Sequence, residues 1–204
     1  MLIGGVNAVI FDLDGTLRNS AMLMLRGIRA VCKHAGVCPP SMVQFYRTYE
    51  NEEVWQKSWG VETPYKEIRS IYEATVTDVH SPLFSDARHV LERLSLHSVP
   101  VGLVSAAPEA DVSAYCTRKG IANHFRVIMA DKRHKAFAIG EAIRALAREP
   151  HQAMYVGDFI ADMKHAKEAG AYAVGITRGR KVRRVLLAAG ADACISHLPE
   201  IFTV

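Results

Sequence analysis

Short apolar runs alternate along most of the chain with longer amphipathic segments. The runs are too short for buried helices and are bounded by polar residues or glycines, so they predict buried strands. The amphipathic segments predict helices, and Gly120 and Gly170 stand where a glycine ends a helix. The alternation predicts an α/β fold, a Rossmann-like three-layer sandwich whose parallel sheet is covered on both faces. Predicted strands cover residues 7–11, 100–104, 126–129, 153–156 and 172–176, and predicted helices cover 85–96, 108–119, 135–147 and 160–169.

The stretch from residue 18 to residue 80 interrupts this alternation, because it carries helical patterns with no strand between them. It therefore predicts a small inserted α-helical domain within the α/β domain. Capping residues mark the starts of its helices. The first of these helices should end before Gly36. The predicted helix starts are Ser20, Ser41 with Gln44, and Thr63 followed by Pro64, and the predicted domains are 1–17 with 81–204, and 18–80.

Composition narrows the class of protein further. A chain of 204 residues, 50% of them apolar, can bury roughly 70% of its unfolded surface without disulfides. Its four cysteines are scattered, which favours reduced, buried thiols over a disulfide framework or zinc site. With no basic leader and no run of about 18 apolar residues, we expect a cytoplasmic protein with no membrane association. The net charge of +4 is explained by basic residues within 178–184, so no nucleic-acid surface is predicted.

Two carboxylates follow the first predicted strand, in the sequence Asp12-Leu13-Asp14-Gly15-Thr16. Ligands of open parallel sheets bind at the carboxyl ends of the strands, which is where this pair lies. One carboxylate of such a pair can attack a substrate while the other protonates the leaving oxygen. The same residues also fit a calcium-loop fragment, but the further oxygen ligands and the glutamate of that loop are missing.

A second acidic pair, Asp158 and Asp162, follows the fourth predicted strand and so reaches the same edge. Two carboxylates about 4 Å apart repel by roughly 4 kcal/mol at an effective dielectric constant near 20, which predicts a cation between them. Oxygen ligands that leave room for water and phosphate favour Mg²⁺. Ser105 ends the second strand, and Lys135 begins the helix before the fourth; both are suited to binding a phosphoryl group.

In order, the chain reads strand-DxDGT, strand-Ser, Lys-helix and strand-GDxxxD. This order resembles the four motifs of the haloacid dehalogenase superfamily, and the resemblance covers nearly the whole chain. The segments FDLDGTL, YVGDFIADMKHAKEAG and AGADACI most resemble its phosphoglycolate-phosphatase-like branch, which carries a helical cap after the first motif. The resemblance implies the strand order 5-4-1-2-3 and a mobile cap formed by residues 18–80.

The resemblance also implies roles for individual residues. Asp12 corresponds to the nucleophile that becomes an aspartyl phosphate, and Asp14 to the acid that protonates the leaving group and then activates water. Ser105 and Lys135 correspond to the phosphate-binding hydroxyl and lysine. Lys132 is an alternative to Lys135, because the Lys-Pro pair common in the family is missing and only the spacing to Asp158 favours Lys135.

The implied metal is Mg²⁺. Its ligands would be the Asp12 carboxylate, the backbone carbonyl of Asp14 and Asp158, with Asp162 supporting them from behind. Two departures from the usual motifs, Asn19 and Ala106, bear on the substrate and leave the reaction class unchanged.

The sequence therefore predicts a magnesium-dependent hydrolase of a small phosphorylated metabolite. A phosphosugar mutase of the same superfamily is the alternative enzyme, and an inactive binding module is the alternative from another class. Trp55 and Trp59 are predicted to pack in the interior of the helical domain. Arg178 and Arg180 are predicted to be exposed charges that steer an anionic substrate.

Overall fold

A computed structural model describes residues 5–41, 44–45, 52–76, 81–132 and 134–204, without the side chains of residues 22 and 52–55. The chain divides into two units, which are treated separately below. The α/β unit contains Met1–Asn19 and Leu83–Val204, and the helical unit contains Ser20–Pro82. Among the described residues, none of the helices is long and apolar enough to span a membrane.

The α/β unit contains a parallel sheet of six strands in the order β3-β2-β1-β4-β5-β6. The predicted fold class is confirmed, and so is the order of the five predicted strands. The sixth strand extends the sheet beyond β5 and was not predicted. The strands are β1 (Ala8–Phe11), β2 (Val101–Val104), β3 (Val127–Met129), β4 (Ala153–Gly157), β5 (Tyr172–Ile176) and β6 (Ala193–Ile195).

Helices connect the strands of the sheet, and their predicted positions agree with the observed ones to within about two residues at most ends. Gly120 and Gly170 follow helix ends with φ values of 64° and 76°, a backbone conformation that favours glycine. The α-helices are α1 (Ala21–His34), α2 (Glu52–Trp59), α3 (Tyr65–Val76), α4 (Ala87–Leu96), α5 (Glu109–Arg118), α6 (Lys135–Ala145), α7 (Ile160–Glu168) and α8 (Arg183–Ala188). Short 3₁₀ helices cover Ala122–His124, Pro150–Gln152 and Leu198–Phe202.

The central strands are buried on both faces, as is typical of a parallel sheet covered by helices. Every residue of β1, β2 and β4 is buried. Pairing places Phe11 of β1 beside Val156 of β4. The ladder continues past the end of β1, where the amide of Asp12 donates to the carbonyl of Val156 at 2.9 Å. The register therefore brings the residues that follow β1 and β4 to the same place at the carboxyl edge.

The helical unit is held together by close packing of apolar groups. A β-carbon added at Gly27 of α1 would lie 2.6 Å from the ring of Tyr72 on α3, so only glycine allows the helices to approach this closely. Trp59 is buried and its ring centroid lies 6.3 Å from that of Phe45, which agrees with its predicted interior position. The side chain of Trp55 lies outside the described residues.

Two smaller predictions need correction. Helix α1 begins after Ser20 as predicted, but the Ser20 hydroxyl donates to the sulfur of Met24 and caps no backbone amide. The backbone of Ser20 has nearly helical angles, so its side chain does not face the first amides. Among the cysteines, Cys38 is exposed and the other three are buried, so the prediction of buried thiols was wrong for Cys38.

Candidate active site

A buried lysine and two buried aspartates form the centre of the site. Lys135, the first residue of α6, donates from Nζ to Asp12 Oδ1 and to Asp162 Oδ1, each at 2.8 Å. The three side chains are at most 5% exposed. A charge buried this deeply is stable only with partners of opposite sign, so each of these groups depends on the others.

Asp162 has all its hydrogen-bonding capacity used by the protein. Besides Lys135, the Tyr155 hydroxyl donates to Oδ1 at 3.1 Å, and the amides of Asp158 and Phe159 donate to Oδ2 at 3.1 and 3.0 Å. The last two bonds satisfy amides at the start of α7. A carboxylate with four protein donors has little capacity left for direct metal binding. Its geometry fits the supporting role predicted for it behind the carboxylates expected to bind the cation.

Asp158 lies against the turn that follows β1. The side chain is buried, and Oδ2 accepts a hydrogen bond from Arg180 Nη2 at 3.0 Å. A β-carbon at Gly15 would lie 2.1 Å from the same oxygen, and Gly15 has φ +77°. Glycine is therefore required at residue 15 both by its backbone conformation and by the closeness of Asp158.

The carboxylates of Asp12, Asp158 and Asp162 lie close together. Each offers a carboxylate oxygen, and these oxygens all lie within 4.8 Å of one another. Burial is the largest cause that raises the pKa of Asp12 well above its usual value; Lys135 lowers this pKa, and the three neighbouring aspartates raise it. Hard oxygen donors crowded in this way suit a divalent cation such as Mg²⁺, so the donor set fits the predicted metal.

Ser105 and the two candidate lysines differ in where their side chains lie. The Ser105 hydroxyl is buried and accepts a hydrogen bond from the amide of Ala107 at 3.1 Å, which leaves its own proton available to donate. Lys132 donates only its amide to Ser105, at 3.0 Å, and its side chain is exposed. Lys135 is the lysine whose ammonium group contacts Asp12.

Asp14 is held by an arginine that the sequence did not single out. Arg18 donates from Nε to Asp14 Oδ1 and from Nη2 to Asp14 Oδ2, both at 2.7 Å. Its Nη1 donates to Asp111 Oδ2 at 2.8 Å, and its guanidinium carbon lies 4.9 Å from the centre of the Tyr115 ring. The pair is partly open, because the Asp14 side chain is 26% exposed and that of Arg18 is 8% exposed.

The prediction that Arg178 is exposed was wrong. Its side chain is 6% exposed and donates from Nη1 to both oxygens of Asp86, at 2.8 and 2.7 Å. Its Nη2 donates to the carbonyl of Thr16, and its guanidinium stacks 3.8 Å from the centre of the Phe84 ring. Arg180 also lies in the site and contacts Asp158. Both arginines contact residues at the carboxyl edge of the sheet and are not free surface charges.

Comparison with known proteins agrees with this arrangement. The model of haloacid dehalogenase-like hydrolases matches residues 9–176. The chain belongs to this family. A phosphoglycolate phosphatase of Yersinia pseudotuberculosis is 25% identical, with 96% of this chain and 91% of that protein covered. One of Synechococcus elongatus is 26% identical, with 92% of this chain and 91% of that protein covered. The fold of a haloacid dehalogenase-like hydrolase from Streptococcus pneumoniae superposes with a TM-score of 0.81 at 24% identity, over 98% of both chains.

As a haloacid dehalogenase-like hydrolase, the chain brings most of the predicted site residues to one edge of the sheet. Asp12, Lys135 and Asp162 are in direct contact, and Asp158 contacts Asp162 through its amide. Arg18 was missed because a single arginine after a turn gives no pattern. The charge of Asp14, two residues beyond Asp12, was the available signal that such a partner was needed.

Proposed function

We propose that this haloacid dehalogenase-like hydrolase is a magnesium-dependent phosphatase that hydrolyses a small phosphorylated metabolite through an aspartyl phosphate on Asp12. The observation that carries the proposal is the buried cluster of Asp12, Asp158 and Asp162 around Lys135 at the carboxyl edge of the sheet. Parallel α/β sheets bind their ligands at this edge.

The charges of the cluster explain why a cation is needed. Three carboxylates face two cationic side chains, Lys135 and Arg180, and this leaves one net negative charge. A phosphate ester dianion would be repelled by that charge. The ligands proposed for the metal are the Asp12 and Asp158 carboxylates and the backbone carbonyl of Asp14. Bound there, Mg²⁺ would neutralise the carboxylates and polarise the phosphoryl oxygens.

The proposed reaction uses both aspartates that follow β1. An Asp12 oxygen attacks phosphorus, the ester P–O bond breaks, and Asp14 gives its proton to the leaving alkoxide. Water then attacks the phosphorus of the aspartyl phosphate and gives a proton to Asp14. The bond from phosphorus to Asp12 breaks, inorganic phosphate leaves, and both side chains return to their starting states.

Two further residues are proposed to hold the transferred group. The Ser105 hydroxyl keeps its proton free, because its oxygen accepts the Ala107 amide. Lys135 places a positive charge 2.8 Å from the attacking oxygen of Asp12. Fixed donors of this kind stabilise charge that develops on phosphoryl oxygens. The position of the Lys135 ammonium group favours this residue over Lys132.

The proposed substrate class is inferred from the names of similar proteins. Two of them, from Yersinia pseudotuberculosis and Synechococcus elongatus, are named phosphoglycolate phosphatases and align over more than nine-tenths of this chain. We therefore propose a phosphoglycolate-like substrate, a small phosphomonoester with an anionic or polar end. That the helical unit is a mobile cap which excludes water during turnover stays a prediction.

The direct test is a panel of phosphorylated metabolites, including 2-phosphoglycolate and sugar phosphates, assayed with purified protein and Mg²⁺. We expect release of inorganic phosphate that EDTA abolishes and added Mg²⁺ restores. Conversion of a sugar phosphate into its isomer without phosphate release would identify the mutase instead. Full activity in the chelator would refute the metal assignment, and no turnover of any ester would refute the proposed function.

A further inference from the structure

Arg18 makes a two-point contact with the residue proposed to protonate the leaving group. Its Nε and Nη2 each donate at 2.7 Å to a different oxygen of Asp14. The turn that carries both residues is itself closed by backbone bonds. The Arg18 amide donates to Leu13, and the Gly15 amide donates to Arg18, at 2.8 and 2.9 Å. The contact is therefore built into the turn after β1.

The guanidinium is also held from the opposite side. Asp111 on α5 accepts from Nη1 at 2.8 Å, and Tyr115 on the same helix lies beneath the guanidinium. Helix α5 follows β2, the strand after which Ser105 stands. Arg18 thus links the Asp14 carboxylate to α5, the helix that comes after Ser105 in the chain. Because Asp111 and Tyr115 hold the Arg18 guanidinium, Asp14 could move only by breaking its hydrogen bonds to Arg18.

This geometry fixes the plane of the Asp14 carboxylate and still leaves it usable. A two-point arginine contact uses one acceptor direction on each oxygen of Asp14, so a second direction on either oxygen stays open for the proton that Asp14 transfers. The remaining directions are accessible, since the side chain is 26% exposed. Proton transfer requires the donor oxygen to lie within hydrogen-bonding reach of the leaving oxygen, so orientation controls its rate.

We infer that Arg18 is a positioning residue, which orients Asp14 for proton transfer to the leaving group of the substrate. The inference rests on the proposed phosphatase function. Lysine is not expected to replace it, because an ammonium group is a point charge and cannot hold both oxygens in one plane. Arg18→Lys should therefore behave like Arg18→Met, although it keeps the charge.

The test compares two esters that differ in their need for the proton. An alkyl phosphate has a poor leaving group and depends on Asp14, whereas p-nitrophenyl phosphate has a good one and does not. We expect Arg18→Met and Arg18→Lys to lower kcat on the alkyl ester by on the order of 100-fold. On the aryl ester the loss should stay below about fivefold. In an Asp14→Asn background, the Arg18 substitution should leave the ratio of the two rates unchanged.

Two further variants control for folding and for the loss of an arginine. Asp111→Asn keeps Arg18 and weakens its support, so it should give a smaller loss with the same preference for the aryl ester. Arg144→Met removes an exposed arginine of α6 that pairs with Glu141, and should leave the ratio unchanged. Thermal unfolding of each variant establishes that it is folded.

Equal losses on both esters would assign Arg18 a purely structural role and overturn the inference. Unchanged rates on both would overturn it as well. Each of these results leaves the phosphatase function standing, because the wild-type protein still turns over both esters. If the wild-type protein hydrolyses neither ester with Mg²⁺, the proposed function fails, and the inference about Arg18 fails with it.

Discussion

The α/β unit and the helical unit bury different kinds of side chain. In the α/β unit, charged side chains are buried beside the carboxyl ends of β1 and β4. In the described part of the helical unit, the buried polar residues are two serines, Ser20 and Ser81. The buried charged residues are Asp12, Arg18, Lys135, Asp158 and Asp162.

The ion pairs follow the same division. In the helical unit, Arg69 pairs with Glu73 at 2.6 Å, and the two side chains are 49% and 56% exposed. In the α/β unit, Lys135 and Asp12 are each 5% exposed. An exposed pair stabilises a protein by about 0–1 kcal/mol, whereas removing one partner of a buried pair costs roughly 3–5 kcal/mol. The stability of the protein is therefore more sensitive to the loss of a charged residue at the carboxyl edge of the sheet than at the surface of the helical unit. This edge is also where the proposed reaction needs charged side chains.

The largest expected effect comes from replacing Asp12, the proposed nucleophile at that edge. Asp12→Asn should lower turnover by about 10⁴-fold or more, roughly 5 kcal/mol of barrier, since the amide cannot form an aspartyl phosphate. Because burial raises the pKa of Asp12, its ionised form opposes folding at neutral pH without a cation. Lys135 keeps Asp162 as its charged partner in the variant, and the crowding of three carboxylates is relieved. In EDTA the variant should therefore be at least as resistant to unfolding as the wild-type protein.

The matched control is Glu92→Gln, the same acid-to-amide change at an exposed position of α4, which should leave both turnover and stability unchanged. Steady-state kinetics and thermal unfolding are the measurements. Activity above about 1% of wild type, less than about 3 kcal/mol of added barrier, would contradict the nucleophile role.

A second prediction concerns Arg178, whose side chain is 6% exposed and joins three parts of the α/β unit. Arg178 contacts Asp86, Phe84 and the carbonyl of Thr16. Arg178→Met should lower the free energy of unfolding by about 3 kcal/mol, because Asp86 loses its charged partner. Arg69→Met, the same change at an exposed pair of the helical unit, should cost at most about 1 kcal/mol. Urea unfolding followed by circular dichroism measures both, and similar losses would remove the distinction between the units.

The sequence predicted the fold better than it predicted the arginines, and the reason is distance along the chain. Strands and helices are encoded by local periodicity, so all five predicted strands were found, although β6 was missed. The strand order was predicted from the family resemblance. Arg18 contacts Asp14, four residues away, but its other carboxylate partner and that of Arg178 lie far away in the chain. Asp111 lies 93 residues from Arg18, and Asp86 lies 92 residues from Arg178. No local pattern marks such pairs, so Arg178 was wrongly placed on the surface.

The site residues were predicted less completely than the fold but better than the arginines. Asp12 and Asp158 were recognised because each follows a strand, and parallel strands end at one edge. Lys135 was preferred over Lys132 by its spacing to Asp158 alone. The contact of the Lys135 ammonium group with two aspartates depends on how α6 packs, which the sequence does not encode locally.

The smallest expected effect tests whether the stability of the helical unit depends on close packing between its helices. The corresponding expectation for the carboxyl edge of the α/β unit is a dependence on buried charge. A β-carbon at Gly27 of α1 would lie within 2.7 Å of Tyr72 and Val76 on α3, whereas one at Gly140 of α6 would meet no atom within 4 Å. Alanine is favoured over glycine by about 1 kcal/mol inside a helix, so Gly140→Ala should stabilise the α/β unit by up to that amount. At Gly27, overpacking of about 1–3 kcal/mol should outweigh the gain and leave a net loss near 1 kcal/mol.

The chain's two tryptophans, Trp55 and Trp59, both belong to the helical unit, so their fluorescence during urea unfolding follows that unit selectively. A lower midpoint by fluorescence for Gly27→Ala and an unchanged one for Gly140→Ala is the expected result; equal stabilisation by both substitutions would mean that α1 and α3 are not in close contact at Gly27.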